Sequence, residues 1–557
     1  MRTIKAVTTD VGAHPVGDRR APRRAVTTNV GAHPVGDWRA PRLDGSGRAQ
    51  GALLQQARAS RSDAVADHHG NTLPASEICD RAREARDARF DGLFFTAVTS
   101  TGIYCRPVCP APAPKRRNIR YFATAAAAAA AGFRPCLRCR PELAPGAMAH
   151  RLGEALLDRA LAMIADGALQ DGSVDVLAAR LGVSARQLRR LFVERMGVAP
   201  LALHTTRRLL LAKQLLTETN LPATQIALAS GFRSVRRFNA AFQQGCGLAP
   251  TQIRRTRSQA TADGLTLRLC YRPPFDFAAM LGFLAKRAMP GLERVDGDSY
   301  QRLAGTADAP LRLRVTADPQ QPELHLRIDG ADPRAIPGIV RRVRRLFDLD
   351  ADLAPVHRAF AVEPLLARGI AQRPGLRVPG GWDGFEIAVR AILGQQVSVA
   401  GATTLAGRLL RAFGTPCTSS GDGFDRLFPA PEALREAPLE SIGLPRARAA
   451  SLRTLAAAVA DGDVDFSAGQ RLDDFVARLC ALPGIGAWTA HYVAMRALGH
   501  PDAFPAGDLI LRQVLGNGTA ISTRDCEARS QPWRPWRAYA VLHLWHLSSE
   551  LAKERTS

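Results

Sequence analysis

Two close pairs of cysteines offer the first chemistry in the chain. "YCRPVCPAPAPKRRN" carries Cys105 and Cys109, and "RPCLRCRPE" carries Cys136 and Cys139. Cys-x3-Cys, a gap of 26 residues and Cys-x2-Cys set four soft ligands at spacings suited to one tetrahedral zinc ion. Such a zinc can be purely structural, stapling a small fold, but the surroundings point further. Arg106, Lys115, Arg116, Arg117, Arg134, Arg138 and Arg140 form a cationic collar that would seek phosphate. A zinc held by four thiolates is a net anion, so its sulfurs stay electron-rich and nucleophilic at neutral pH. A sulfur of that kind could take a methyl group from an alkylated phosphate by in-line displacement.

A second constellation lies in "LPGIGAWTAHYVAMRALGHPDAFPAGDLILRQVL". Pro483-Gly484-Ile485-Gly486 reads as a hairpin between two helices, and Gly484 and Gly486 let backbone N–H groups close on a DNA phosphate at a helix start. About 20 residues further on stands Asp508. Placed before Leu509-Ile510-Leu511, it suits a helix N-cap. A carboxylate there could equally stabilise the oxocarbenium character of a breaking N-glycosidic bond, or activate water.

Between these sites lie two candidate helix-turn-helix units. In the first, Gly182 makes the turn and Ser184 caps a helix displaying Arg186, Gln187, Arg189 and Arg190, anchored by Leu188 and Leu191. In the second, Gly231 and Ser234 play those parts, Arg236, Arg237 and Asn239 are displayed, and Phe238 and Phe242 are the anchors.

The elements that must position these residues divide a chain of 557 residues, too long for one core. Its net charge of +24 is spread along most of the length and favours a nucleic-acid partner. Cys79, Cys246, Cys270, Cys417, Cys480 and Cys526 are scattered singly, as in a reducing cytosol, and neither a membrane span nor a signal peptide is predicted. Cytoplasmic location follows. Residues 1–73, with a repeat of period 19 starting at Ala6 and Ala25, are expected to be disordered. A zinc module is expected over 76–145, an all-α tandem helix-turn-helix over 148–258, an α+β segment over 263–371 and an all-α domain over 372–552. Within the α+β segment, "LTLRLCYRPP", "LRLRVTA" and "LHLRIDG" read as strands, and "IPGIVRRVRRLFDLD" as a helix.

"RFDGLFFTAVTSTGIYCRPVCPAPAPKRRNIRYF" with "AAGFRPCLRCRPE" closely resembles the N-terminal domain of the Ada alkylation-response family, over about Asp80 to Pro141. The resemblance implies that Cys105 irreversibly accepts a methyl from a DNA methylphosphotriester, with Cys109, Cys136 and Cys139 as the other zinc ligands. Arg106, Arg134 and Arg138 would then contact DNA. The tandem helices, "GFRSVRRFNAAF" among them, look like an AraC-type DNA-binding domain. The Pro-Cys-His-Arg motif of a second Ada methyltransferase is absent.

The hairpin, the Gly/Pro segment and Asp508 together resemble the helix-hairpin-helix glycosylase superfamily. "YRPPFDFAAMLGFLAKRA", "RPGLRVPGGWDGFEIAVRAILGQQVSVAGA" and "WRPWRAYAVLHLWH" are most similar to AlkA-type 3-methyladenine glycosylases. That implies a TBP-like N-terminal domain and a pocket lined by Phe283, Trp488, Tyr492 and Trp545, whose faces would attract electron-poor alkylated purines. Gln396 would fill the gap left by the flipped base. It replaces a leucine of the family, and Leu509 replaces a tyrosine. Trp488 stands where strand-cutting members carry a lysine, which implies a monofunctional enzyme. With Cys526 alone near the C-terminus, no iron–sulfur cluster is expected. The implied whole is a monomer acting on damaged and promoter double-stranded DNA, with RNA polymerase a candidate partner. The rival reading is a transcription factor whose glycosylase half only binds DNA.

Overall fold

The computed structural model describes residues 73–146, 155–170, 172–255, 265–330, 332–417 and 423–554. The extension expected to be disordered lies outside the described residues, except for Leu73.

Short strands, each too brief to show alternation in sequence, build the first module. β1 (Phe95–Val98) pairs antiparallel with β2 (Ile103–Cys105) and with β3 (Ile119–Phe122), while β2 pairs parallel with β4 (Arg134–Pro135). The parallel register sets Tyr104 against Pro135, so Cys105 ends one strand where Cys136 leaves the next. A run of alanines forms the helix Ala125–Ala130. Thr124 caps it by accepting from the Ala127 N–H at 2.9 Å, and Gly132 turns the chain out at φ +89°. Its small side chains allow close packing, and Ala128 is buried with Phe95, Ala97, Tyr104 and Phe133.

Both helix-turn-helix units form. Val174–Arg180 is followed by Ala185–Met196, and Ala223–Ala229 by Val235–Cys246, with the 19-residue helix Pro200–Glu218 between the pairs. Gly182 (φ +73°) and Gly231 (φ +77°) make the two turns, in the left-handed region open to glycine. Ser184 accepts from the Gln187 N–H at 3.2 Å and Ser234 from the Arg237 N–H at 3.5 Å, capping both second helices.

The α+β segment is a five-stranded antiparallel sheet of order β5-β9-β8-β7-β6: β5 (Leu265–Cys270), β6 (Glu293–Asp296), β7 (Ser299–Gly305), β8 (Pro310–Ala317) and β9 (Glu323–Asp329). Sequence alternation finds β5, β8 and β9 and misses the polar hairpin β6–β7. Helix Ile336–Leu346 buries Ile336, Ile339, Val343 and Leu346 in the same core as the sheet. The remainder is helical around one large core, with a two-stranded ribbon, β10 (Thr415–Pro416) and β11 (Arg426–Leu427), as the exception among the described residues.

Helix Pro200–Glu218 also touches two neighbouring modules. Its Lys213 pairs with Glu142 of the cysteine module at 2.5 Å, and Glu218 receives Arg140 at 2.9 Å and Arg268 of β5 at 3.0 Å.

Candidate active sites and DNA-binding surface

The two cysteine pairs converge. The Sγ atoms of Cys105, Cys109, Cys136 and Cys139 all lie within 4.8 Å of one another. Backbone N–H groups point at the sulfurs: Arg106 N donates to Cys139 Sγ at 3.3 Å, Ala111 N to Cys109 and Cys139 N to Cys136. Donors of this kind stabilise thiolates, so the cluster fits a divalent metal that prefers sulfur. Cys136 and Cys139 are buried, whereas Cys105 and Cys109 are partly exposed.

The collar is smaller than its sequence suggests. Arg106 is buried and turned inward: its guanidinium pairs with the buried Asp91, and Nη1 donates to the Cys139 carbonyl at 3.1 Å. It is therefore no DNA contact in this conformation, because a desolvated guanidinium stays with the carboxylate that neutralises it. Arg140 is likewise taken up by Glu142 and Glu218. Lys115, Arg117, Arg134 and Arg138 remain exposed, and Arg116, also exposed, reaches Asp80 at 2.6 Å.

On the tandem helices Arg186, Gln187, Arg190, Arg236, Arg237 and Asn239 are all exposed. The Gln187 side-chain oxygen closes a capping box with the Ser184 N–H at 3.0 Å, which leaves its NH2 group outward. Leu188 and Phe192 are the buried anchors of the first unit; Leu191, expected in that role, is half-buried because the inner face follows i, i+4 spacing.

Phe283, Trp488, Tyr492, Trp545 and Asp508 meet around a cavity of about 810 Å³. Trp488 and Tyr492 stack with ring centroids 5.4 Å apart, and Trp545 lies 6.4 Å from Tyr492. The N-cap reading of Asp508 holds, and the same carboxylate also faces the aromatic cavity. It caps helix Leu509–Leu515, accepting from the Leu511 N–H at 3.1 Å. It also accepts from Trp488 Nε1 on Oδ2 at 3.0 Å and from Trp545 Nε1 on Oδ1 at 3.2 Å. The carboxylate is thereby fixed at the cavity wall.

Cations that sequence reasoning missed also line the cavity, and Arg287 and Arg496 lie against its rings. Arg287 lies 3.7 Å from the Phe283 ring centroid and Arg496 lies 4.7 Å from it, and Arg496 Nη1 donates to Tyr492 Oη at 2.8 Å. Burial would raise the Tyr492 phenol, but Arg496, Arg287 and Arg390 outweigh it and hold the phenol below its ordinary value. Spacing could have flagged both: Phe283 to Arg287 and Tyr492 to Arg496 are i, i+4 pairs.

Gln396 is exposed at φ +57° on the turn after helix Gly384–Leu393. In the hairpin, Gly484 (φ +81°) faces Ser451, where a Cβ would lie 2.0 Å from Oγ. Gly486, the N-cap of helix Ala487–Ala497, has open space before it.

A sulfur cluster, paired helix-turn-helix units and an aspartate beside a helix-hairpin-helix define a class: a base-excision DNA repair protein joined to a metal-binding module and a helix-turn-helix domain. Family models agree in chain order: the metal binding domain of Ada at 78–142, a helix-turn-helix domain at 177–256, the AlkA N-terminal domain at 266–383 and the HhH-GPD superfamily base excision DNA repair protein at 389–537. The chain is 40% identical over 476 residues to the probable bifunctional transcriptional activator/DNA repair enzyme AlkA of Mycobacterium tuberculosis, covering 84% of this chain and 96% of that protein. It belongs to that family. It is also 37% identical to DNA-3-methyladenine glycosylase 2 of Escherichia coli, over 50% of this chain and 96% of the relative. Against the bifunctional transcriptional activator/DNA repair enzyme Ada of Escherichia coli it is 34% identical, over 30% of this chain and 46% of the relative. Among the described residues no helix is long and apolar enough to cross a membrane.

Proposed function

We propose that this DNA alkylation repair protein hydrolyses the N-glycosidic bond of alkylated purines such as 3-methyladenine, with Asp508 as its catalytic carboxylate. One observation carries the reading: the Asp508 carboxylate is held by two indole N–H groups and one backbone N–H at the wall of an aromatic cavity. The everted base stacks among Phe283, Trp488, Tyr492 and Trp545. As the C1′–N bond breaks and its electron pair leaves with the base, Asp508 stabilises the sugar cation and orients water, whose oxygen bonds C1′ while its proton passes to solvent. No amine stands at Trp488 to form a Schiff base, so the strand is left uncut. Asp508→Asn should lower base release from methylated duplex DNA by about three orders of magnitude and leave DNA binding intact. Release at the wild-type rate would remove Asp508 from the chemistry. Binding without release by the wild-type protein would instead favour a regulator that only grips DNA.

The second chemistry belongs to the cysteines. Zinc bound by Cys105, Cys109, Cys136 and Cys139 would keep the sulfurs deprotonated at neutral pH. Cys105, one of the two accessible members, attacks the methyl carbon of a methylphosphotriester. The S–C bond forms, the C–O bond breaks and the phosphodiester leaves as an anion. The resulting thioether does not return, so each molecule acts once. The sulfur site then carries one negative charge fewer, which tightens its hold on the DNA backbone beside Arg134 and Arg138. The exposed helices would read a promoter, with RNA polymerase the partner that activation requires and a monomer the acting form. Mass spectrometry after incubation with methylated duplex DNA should find one methyl group on Cys105. An unmodified Cys105 would reduce the cluster to a structural role.

A further inference from the structure

The turn that carries Gln396 is held in place from outside. A glutamine at φ +57° is in a backbone region that side chains disfavour, and its own side chain is exposed to solvent. The residue before it supplies the restraint. Gln395 Nε2 donates to the Gly484 carbonyl at 3.0 Å and to Thr489 Oγ1 at 3.1 Å, and the Gln395 carbonyl accepts from Arg448 Nη2 at 2.7 Å. Gly484 is in turn pinned against Ser451, which sits one turn beyond Arg448 on helix Arg446–Ala460. Thr489 is buried and follows Trp488, whose indole holds Asp508. A single side-chain amide thus joins the hairpin, the Gln396 turn and the helix that orients the carboxylate.

We propose that Gln395 is a positioning residue that ties the phosphate-gripping hairpin to the turn entering the duplex, so that backbone grip and base eversion occur in register. This rests on the glycosylase reading. When the hairpin N–H groups take a phosphate, the Gly484 carbonyl is fixed relative to the duplex, and the Gln395 amide passes that position to the Gln396 backbone. The exposed Val397 and Val399 beside Gln396 present apolar surface suited to a disrupted base stack. The amide donor is essential to the link, since a glutamate there would set a carboxylate against a carbonyl with no hydrogen between them.

The test uses the full chain carrying Gln395→Met, which keeps length and loses both donors. Single-turnover base release is measured from one alkylated purine in a fully paired duplex and from the same lesion in a one-nucleotide bulge, where little pairing must be broken. Loss of the two hydrogen bonds should slow release about tenfold on the paired duplex. On the bulge the loss should stay within about twofold, and binding to undamaged duplex should not change. Arg448→Met should shift the two substrates in the same unequal way. Equal losses on both substrates would overturn the proposal, leaving Gln395 a mere support of the fold. Fluorescence of 2-aminopurine beside the lesion reports eversion without base release. If the wild type everts but releases nothing, and Gln395→Met everts less, the positioning role stands while the glycosylase reading falls. If Gln395→Met everts as well as the wild type, the role falls and the reading stands.

Discussion

Arg106 follows Cys105 directly, yet its guanidinium faces Asp91 inside the module, while Arg134 and Arg138, on the second cysteine segment, face solvent. The same side chain therefore has two jobs around one cluster, and mutation separates them. Arg106→Met leaves Asp91 buried without its partner and should destabilise the module by about 3 to 5 kcal/mol, seen as a lower urea midpoint, with no change in the salt dependence of DNA binding. Arg138→Ala should do the reverse, lowering the slope of log K against log salt by about one at unchanged stability. The Asp508 site follows similar logic. Trp545→Phe keeps the aromatic wall but removes the indole donor to Oδ1, 3.2 Å away. A hydrogen bond to a charged group is worth about 1.5 to 3 kcal/mol, so the single-turnover rate should fall about 10- to 100-fold with little change in substrate affinity. A comparable loss of affinity would mean that Trp545 serves only to stack the base.

Helix Pro200–Glu218 is one of the elements through which the N-terminal half meets the rest, alongside contacts such as Arg159 Nε to the Gly469 carbonyl at 2.5 Å. Its Lys213 is fully buried against Glu142, and the Lys213 ammonium lies 3.4 Å from the carbonyl of Cys136 in the sulfur cluster. Lys213→Met leaves the buried Glu142 with Arg140 as its remaining cation and should cost about 2 kcal/mol, seen as a lower urea midpoint; an unchanged midpoint would show that Arg140 alone suffices for Glu142. None of this could be read from the chain, because a lysine in "LLLAKQLL" looks solvent-facing until the zinc module is laid against it. Legibility followed range of interaction. Both Ser caps, both turn glycines and the four cysteines depend on neighbours a few residues away or on fixed spacing, and were found. The hairpin β6–β7 was missed, although Asp296-Gly297 between two short runs is a hairpin signal that could have found it. The inward turn of Arg106 escapes the sequence because its partner Asp91 lies 15 residues away, in the turn before β1, where no periodicity reveals it. Gln395 and Gln396 are indistinguishable in "GQQV"; only the fold sends one amide inward and leaves the other exposed.

At the scale of the whole molecule, the glycosylase core carries an acid sensitivity that its chemistry does not require. Burial holds His500 and His543 down at about 4, from an ordinary 6.5, and lowers His357 and His491 as well. Between about 4 and 6.5 the unfolded chain binds protons at His500 and His543 that the folded chain refuses, so their contribution to stability is full above 6.5 and lost as pH falls through 4, and His357 and His491 act in the same direction. One buried acid opposes them. Burial pushes Asp348 up to about 6, so its contribution is greatest below the ordinary carboxylate value of 3.8 and is lost as pH rises through 6. Four imidazoles against one carboxyl leave a net loss of stability on acidification from about pH 6.5 towards 4. Tryptophan fluorescence can follow it selectively, because five of the six tryptophans lie between Trp382 and Trp545, and the sixth is Trp38. The urea midpoint should fall steadily over that window, and His543→Gln should flatten the fall by about one proton's worth. A midpoint that rises on acidification would mean that Asp348 outweighs the histidines and governs this core.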